Sequence, residues 1–174
     1  VTSSVRLVTT MLFVGAMAVP TAAAETWTPI DHGGRATCAD GSTPDLFERV
    51  ADPERVVLYL EGGGACWSEA TCAFDGPDKT YPSESHATAD LLAERGGLFD
   101  LAEPENPLAD HSWVYVPYCT GDLHLGDTTR TYGELSIEHR GSVNAGIGLE
   151  RLVERFPDAG EVVVAGVSAG SVPT

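Results

Sequence analysis

The stretch Val162-Val163-Val164-Ala165-Gly166-Val167-Ser168-Ala169-Gly170-Ser171 decides how the chain reads. Three valines and an alanine make a short apolar run, which suits a strand covered on both faces. Gly166-Val167-Ser168-Ala169-Gly170 follows at once, and Gly-x-Ser-x-Gly after a strand is the context of a nucleophile elbow. Small flanking residues let the strand and the next element approach. The tight turn lifts the serine hydroxyl out of the sheet, and the next backbone N–H, from Ala169, faces the place where an oxyanion forms. The rival reading is a glycine-rich turn with an incidental serine.

Working outward, two earlier runs have the same character. Val56-Val57-Leu58-Tyr59-Leu60 enters Gly62-Gly63-Gly64, and Trp113-Val114-Tyr115-Val116 is closed by Pro117. Helical patterns lie between them. Residues 88–95 end at Gly96-Gly97, a candidate C-cap. Residues 142–156 place Ala145, Leu149, Leu152, Val153 and Phe156 on one stripe, stopped by Pro157. Strands alternating with helices predict an α/β fold with a parallel sheet. Residues 75–85 and 103–110, rich in Pro, Asp and Gly, are expected as surface loops.

The chain has 174 residues, enough for one domain. Its formal charge of −16, from 10 basic and 26 acidic residues, is the wrong sign for binding nucleic acid or an anionic membrane. Residues 1–24 read as a secretory signal peptide: Arg6, an apolar run from Leu7 to Val19, then Thr21-Ala22-Ala23-Ala24 with cleavage after Ala24. Pro20 ends the run short of the roughly 20 residues a membrane span needs, and no cysteine stands at the cleavage point to carry a lipid anchor. The rival is an ordinary N-terminal helix. Residues 25–174 are then the exported domain.

Export places Cys38, Cys66, Cys72 and Cys119 in an oxidising compartment, where an even count suggests disulfides. Four cysteines allow three pairings. Cys66 and Cys72 bracket a short loop and can pair locally, which leaves Cys38 with Cys119 as a long-range staple. A zinc site is the rival, and it lacks a C-x-x-C pair.

Two further motifs bear on chemistry. Leu60-Glu61-Gly62-Gly63-Gly64-Ala65-Cys66-Trp67 is a glycine loop after an earlier strand, where a serine hydrolase of this architecture places its other oxyanion donor. It is neither a dinucleotide fingerprint nor a P-loop. In Pro117-Tyr118-Cys119-Thr120-Gly121-Asp122-Leu123-His124-Leu125-Gly126-Asp127, Asp122, His124 and Asp127 could ligate a metal. No further spaced ligand accompanies them, so a polar loop tied by Cys119 is preferred. His32, His86, His111 and His139 have no partner at diagnostic spacing and are expected as surface or loop residues.

In the order "TCADGSTPDLF", "LEGGGACWS", "NPLADHSWVYVPYCTGDLHLGD", "HRGSVNAG" and "VVVAGVSAGS", these motifs resemble the pectin acetylesterase/Notum family of secreted serine esterases. The resemblance covers about residues 36–171. It implies an α/β-hydrolase fold and removal of acyl groups: acetyl from pectin in plant and microbial members, a lipid from a signalling protein in the animal branch. It makes Ser168 the nucleophile and the N–H groups of Gly63, Gly64 and Ala169 the oxyanion hole. It also implies the disulfides Cys38–Cys119 and Cys66–Cys72, and neither metal nor organic cofactor. Ser171 departs from the family, which often has glycine there.

A larger departure follows from the triad order of this fold, Ser, then Asp or Glu, then His. All five histidines precede Ser168, and the six residues after it include neither Asp nor His. The expectation is the N-terminal portion of an α/β-hydrolase, lacking its triad acid and base and its later strands, with residues 162–165 left as an apolar edge. Such a chain should show little esterase activity. Its partner would be an acylated ester, pectin or another acetylated carbohydrate first. The alternatives are an esterase for another acyl ester, or a non-catalytic binding domain of the same fold.

Overall fold

Residues 57–60 and 113–116 carry almost nothing that water could satisfy, so they can be ordered only between two packed layers. The computed structural model, which describes residues 26–174, places them so; the expected signal peptide lies outside these residues. Along the chain run β1 (Thr28–Pro29), β2 (Phe47–Arg49), β3 (Asp52–Leu60), α1 (Glu69–Cys72), α2 (Ala89–Ala93), β4 (His111–Val116), β5 (Thr128–Tyr132), β6 (Leu135–His139), α3 (Gly141–Arg155) and β7 (Glu161–Gly166). Five strands form one sheet in the order β1-β2-β4-β3-β7, and β5 and β6 form a separate hairpin. β3 is parallel to β4 and β7, whereas β2 is antiparallel to β4. The α/β character is as expected. The sheet is mixed rather than purely parallel, because β1 and β2 pair antiparallel, and these two are too short and too polar to stand out in the sequence.

The two faces of the sheet are packed differently. Val56, Leu58, Leu60, Val114 and Val116 meet Ile147, Leu152 and Phe156 of α3 and its C-terminal end. Gly148 lets α3 approach, since a Cβ there would press into the Val116 side chain. On the other face Trp27, Tyr59, Phe99, Trp113 and Tyr115 form an aromatic cluster with Val57 and Leu92. Tyr59 stacks on Tyr115 at 5.7 Å and meets Phe99 edge-on at 4.8 Å, geometries that suit the ring quadrupoles.

α3 is rotated from the expected stripe. Its buried side carries Asn144, Ile147, Gly148 and Leu152, and Leu149 and Val153 are exposed. Two polar anchors set that rotation. The Asn144 amide accepts from Thr37 N–H and donates to the Thr37 carbonyl. Arg151 makes a two-pronged contact with Glu48 of β2, at 2.7 and 2.8 Å. That contact turns one flank of α3 towards β2 and leaves the Leu149–Val153 flank on the opposite side.

Other expectations need correction. α2 covers 89–93 rather than 88–95, capped by the Thr88 side chain. Tyr81 and Ser83 are buried within the expected surface loop 75–85. His32 lies in a loop as expected, though buried, whereas His111 and His139 are buried within β4 and β6. His32 bridges Pro44 O and Ala36 N–H, and His139 donates to Thr120 O while accepting from the Tyr132 hydroxyl. His111 opens β4, with Nε2 3.7 Å from Glu161. Each ring lies where the backbone path demands, which single-residue spacing does not reveal.

Candidate active site

Parallel strands end on the same side. Leu60 of β3 is opposite Gly166 of β7, so the glycine loop and the serine turn emerge beside each other. Three glycines make the approach close. A Cβ on Gly62 would overlap the Val167 carbonyl and touch Cβ of Ser168. One on Gly166 would strike the Gly170 carbonyl, and one on Gly170 the Leu60 carbonyl. Ser168 itself sits at φ +52°, the left-handed region, which costs an L-residue roughly 1–2 kcal/mol. A short 3-10 turn, Ser168–Ser171, follows, with Ala169 buried and Ser168 exposed. The turn is closed by Gly170 N–H to Val167 O and by the Ser171 hydroxyl to Ser168 O.

Among the described residues, no protein acceptor takes the N–H groups of Gly62, Gly63, Gly64 or Ala169. The carbonyl and side-chain groups of the same loop are, by contrast, well held. Glu61 accepts from Arg95 at 3.3 Å and from Tyr118 N–H at 3.2 Å. Arg95 also donates to the Tyr115 hydroxyl and lies over the Phe99 ring. Burial, with Glu61 nearby, pushes the Tyr115 phenol far up, so it stays protonated. Gly64 sits at φ +85°, where a Cβ would overlap the Thr80 carbonyl, and its own carbonyl accepts from the Tyr118 hydroxyl at 2.8 Å.

A cleft of about 350 Å³ opens beside Gly62, between Arg95, His86, Leu91 and Tyr118. His86 and Glu84 are at its rim, 3.9 Å apart. No described histidine hydrogen-bonds the Ser168 hydroxyl.

Both expected disulfides are present, Cys38–Cys119 and Cys66–Cys72, spanning 81 and 6 residues. The second closes on α1, whose start is capped by Ser68 and Thr71, and it anchors the far end of the glycine loop. Cys66, Cys72 and His139 come within 4.8 Å of one another, as metal ligands could. With both sulfurs in a disulfide, neither has a thiolate lone pair to offer a metal.

Asp122, His124 and Asp127 diverge. Asp122 accepts from Thr120 Oγ1 and from the N–H groups of His124, Gly126 and Gly141, and so ties its loop to the start of α3. His124 donates to the Glu61 carbonyl at 2.8 Å, and Asp127 pairs with Arg140. The supporting roles of Glu61, Tyr118 and Arg95 were not legible in the sequence. The one available signal was the position of Glu61 directly before the glycines.

A serine held in a left-handed turn at the C-terminal end of a parallel strand, with a glycine loop packed on it, defines an α/β-hydrolase-like domain. The pectinacetylesterase family model matches residues 22–174, and the chain belongs to that family. It is 30% identical over 142 residues to palmitoleoyl-protein carboxylesterase notum2 of Xenopus laevis, covering 77% of this chain and 28% of that protein. To palmitoleoyl-protein carboxylesterase NOTUM of Schmidtea mediterranea it is 27% identical, covering 78% of this chain and 26% of that one. A Danio rerio relative named inactive palmitoleoyl-protein carboxylesterase notum1b is 30% identical over 62% of this chain and 76% of its own length. The chain thus spans little more than a quarter of the first two relatives.

Proposed function

We propose that this chain is the nucleophile-bearing portion of a secreted serine carboxylesterase. The observation that carries the reading is Ser168 at φ +52°, packed on Gly62, whose loop keeps its N–H groups without protein acceptors. Ser168 Oγ attacks the ester carbonyl as a histidine removes its proton. The carbonyl oxygen, now an oxyanion, is received by the N–H groups of Gly63, Gly64 and Ala169. Collapse expels the alcohol, which takes the proton from the histidine, and leaves an acyl-serine. Water, deprotonated by the same histidine, releases the acid. Removing one such donor typically costs about 10²–10³ in rate.

In this reading the triad acid and base belong to a part of the protein beyond this stretch. His32, His124 and His139 are held by other partners. His111 is at the start of β4, the opposite end of the sheet from Ser168. The substrate we favour is an acetylated carbohydrate of the pectin type, suggested by the family's name; the names of the animal relatives suggest the longer-acyl alternative. Two disulfides and the signal-like residues 1–24 support an extracellular setting.

A second reading, a binding domain without catalysis, is supported by the inactive Danio rerio relative and the large share of it that is covered. Hydrolysis of p-nitrophenyl acetate by the purified chain separates the readings. The expected result is turnover near background. Turnover abolished by Ser168→Ala would show that a base is already present. Loss of that turnover in His86→Ala would then identify the rim histidine as the base. A longer protein containing this stretch should turn over the ester and lose it with Ser168→Ala; a binding domain would not.

A further inference from the structure

The loop that follows β4 contains two residues in a costly conformation. Leu123 and His124 both sit in the left-handed region, at φ +62° and +59°. Neither is glycine, and each costs roughly 1–2 kcal/mol there. The loop is held in that shape by the four bonds to the Asp122 carboxylate and by Leu123 N–H donating to the Tyr118 hydroxyl at 2.9 Å.

The shape aims three donors at one target. His124 Nε2–H reaches the Glu61 carbonyl, the Tyr118 hydroxyl the Gly64 carbonyl, and Tyr118 N–H the Glu61 carboxylate. All three end on oxygens, and the loop's N–H groups are left open. In a trans peptide the C=O and N–H point in opposite directions. Fixing the carbonyls of Glu61 and Gly64 therefore fixes the two peptide planes that flank those bearing the Gly63 and Gly64 N–H groups. The side chain of Tyr118 also lies against Gly63, where a Cβ would meet its ring.

We infer that His124 and Tyr118 are positioning residues that hold the Gly62–Gly64 amides in a preformed, carboxylate- or oxyanion-receiving arrangement. The inference rests on the reading of Ser168 and the glycine loop as an esterase site, but its measurement needs no turnover. The donor role requires a proton on Nε2, and the buried Nδ1, which has no hydrogen-bond partner, suits a neutral ring carrying its one proton there. Burial lowers the His124 pKa below the ordinary imidazole value, against the opposing pull of Asp122 in its own loop and Glu61 at the end of β3. Burial likewise raises the Tyr118 phenol, keeping its proton in place.

The test is nitrogen-detected NMR on the isotope-labelled 174-residue chain, with sodium acetate as the anion probe. Wild type should show His124 protonated at Nε2 and bare at Nδ1, and still neutral below pH 6.5. The Gly63 and Gly64 amides should shift on acetate addition. His124→Phe keeps a ring and loses the donor; it should disperse the glycine amide signals and weaken acetate binding about tenfold, a positioning loss smaller than removal of a donor. His124→Gln, which retains a donor at that reach, should recover binding to within about threefold. Tyr118→Phe should move the Gly64 and Ala65 amides.

The opposite tautomer, or glycine amides indifferent to His124→Phe, would overturn the assignment. Wild-type amides that ignore acetate would overturn its anion-receiving part. If His124→Phe does not fold, the wild-type tautomer and Tyr118→Phe still decide. Ser168→Ala separates this inference from the esterase reading: acetate binding should persist when the nucleophile is gone.

Discussion

The two halves of the candidate site are supported very unequally. The glycine loop after β3 is gripped by Tyr118, His124 and Arg95 and closed by a disulfide at Cys66. The serine turn after β7 is held by its own short turn and by glycine-to-backbone contact with Leu60 and Gly62. β3 is paired on both sides, whereas β7 has a neighbour on one side only. Val162 and Val164, which point to the α3 side, are each 47% exposed. In the proposed site, preorganisation is therefore built into the glycine loop first. The serine half has geometry without enclosure.

The largest way to break this contrast is to remove the staple under the better-held half. The Cys38–Cys119 disulfide spans 81 residues, and loop-entropy arguments assign such a link about 4 kcal/mol. The double substitution Cys38→Ser with Cys119→Ser should lower stability by that order in denaturant unfolding. The Cys66–Cys72 link spans 6 residues and should contribute about 2 kcal/mol on the same argument. Equal losses for the two would remove the chain-entropy account.

Next comes the contact between the halves. Gly62→Ala places a methyl group into the Val167 carbonyl, which cannot move without moving the elbow. A loss of about 2–3 kcal/mol is expected from such overpacking, with Ser168 displaced. Gly96→Ala, at a position with open space and no positive φ, should shift the thermal midpoint hardly at all. Parity between the two would mean that loop and elbow do not touch in solution.

A smaller effect isolates the elbow's strain. Ser168→Gly and Ser168→Ala both remove the hydroxyl, but only glycine occupies φ +52° without strain. The glycine variant should be the more stable of the two by about 1 kcal/mol. An alanine variant as stable as the glycine one would show that the turn relaxes out of the left-handed region.

These sites were legible in the sequence to different degrees. The three strands that build the site stood out because buried parallel strands are unbroken apolar runs, and the glycines because each marks a close approach. Both disulfides followed from counting and spacing. The mixed sheet did not stand out: Phe47-Glu48-Arg49 is three residues long, and two of them are charged. Glu48 is buried against Arg151, 103 residues away, with Arg155 also close by. The clamp was invisible for the same reason. His124 and Glu61 are 63 residues apart, and nothing local distinguishes a histidine that holds a carbonyl from one that could hold a metal.

The smallest effect tests the contrast itself. On the α3 side of the sheet, the Leu149–Val153 flank faces away from β2, and Val162 and Val164 occupy the β7 edge. An exposed apolar edge strand invites pairing with another chain, and lysine is a common natural block. Val162→Lys with Val164→Lys should change folding stability by no more than about 0.5 kcal/mol, because exposed positions contribute little. The same pair should reduce concentration-dependent association in sedimentation. If instead the lysines cost about 2 kcal/mol or more, the burial cost of charge would show that this face is covered in solution. The serine half would then be as enclosed as the glycine half, and the asymmetry of the site would disappear.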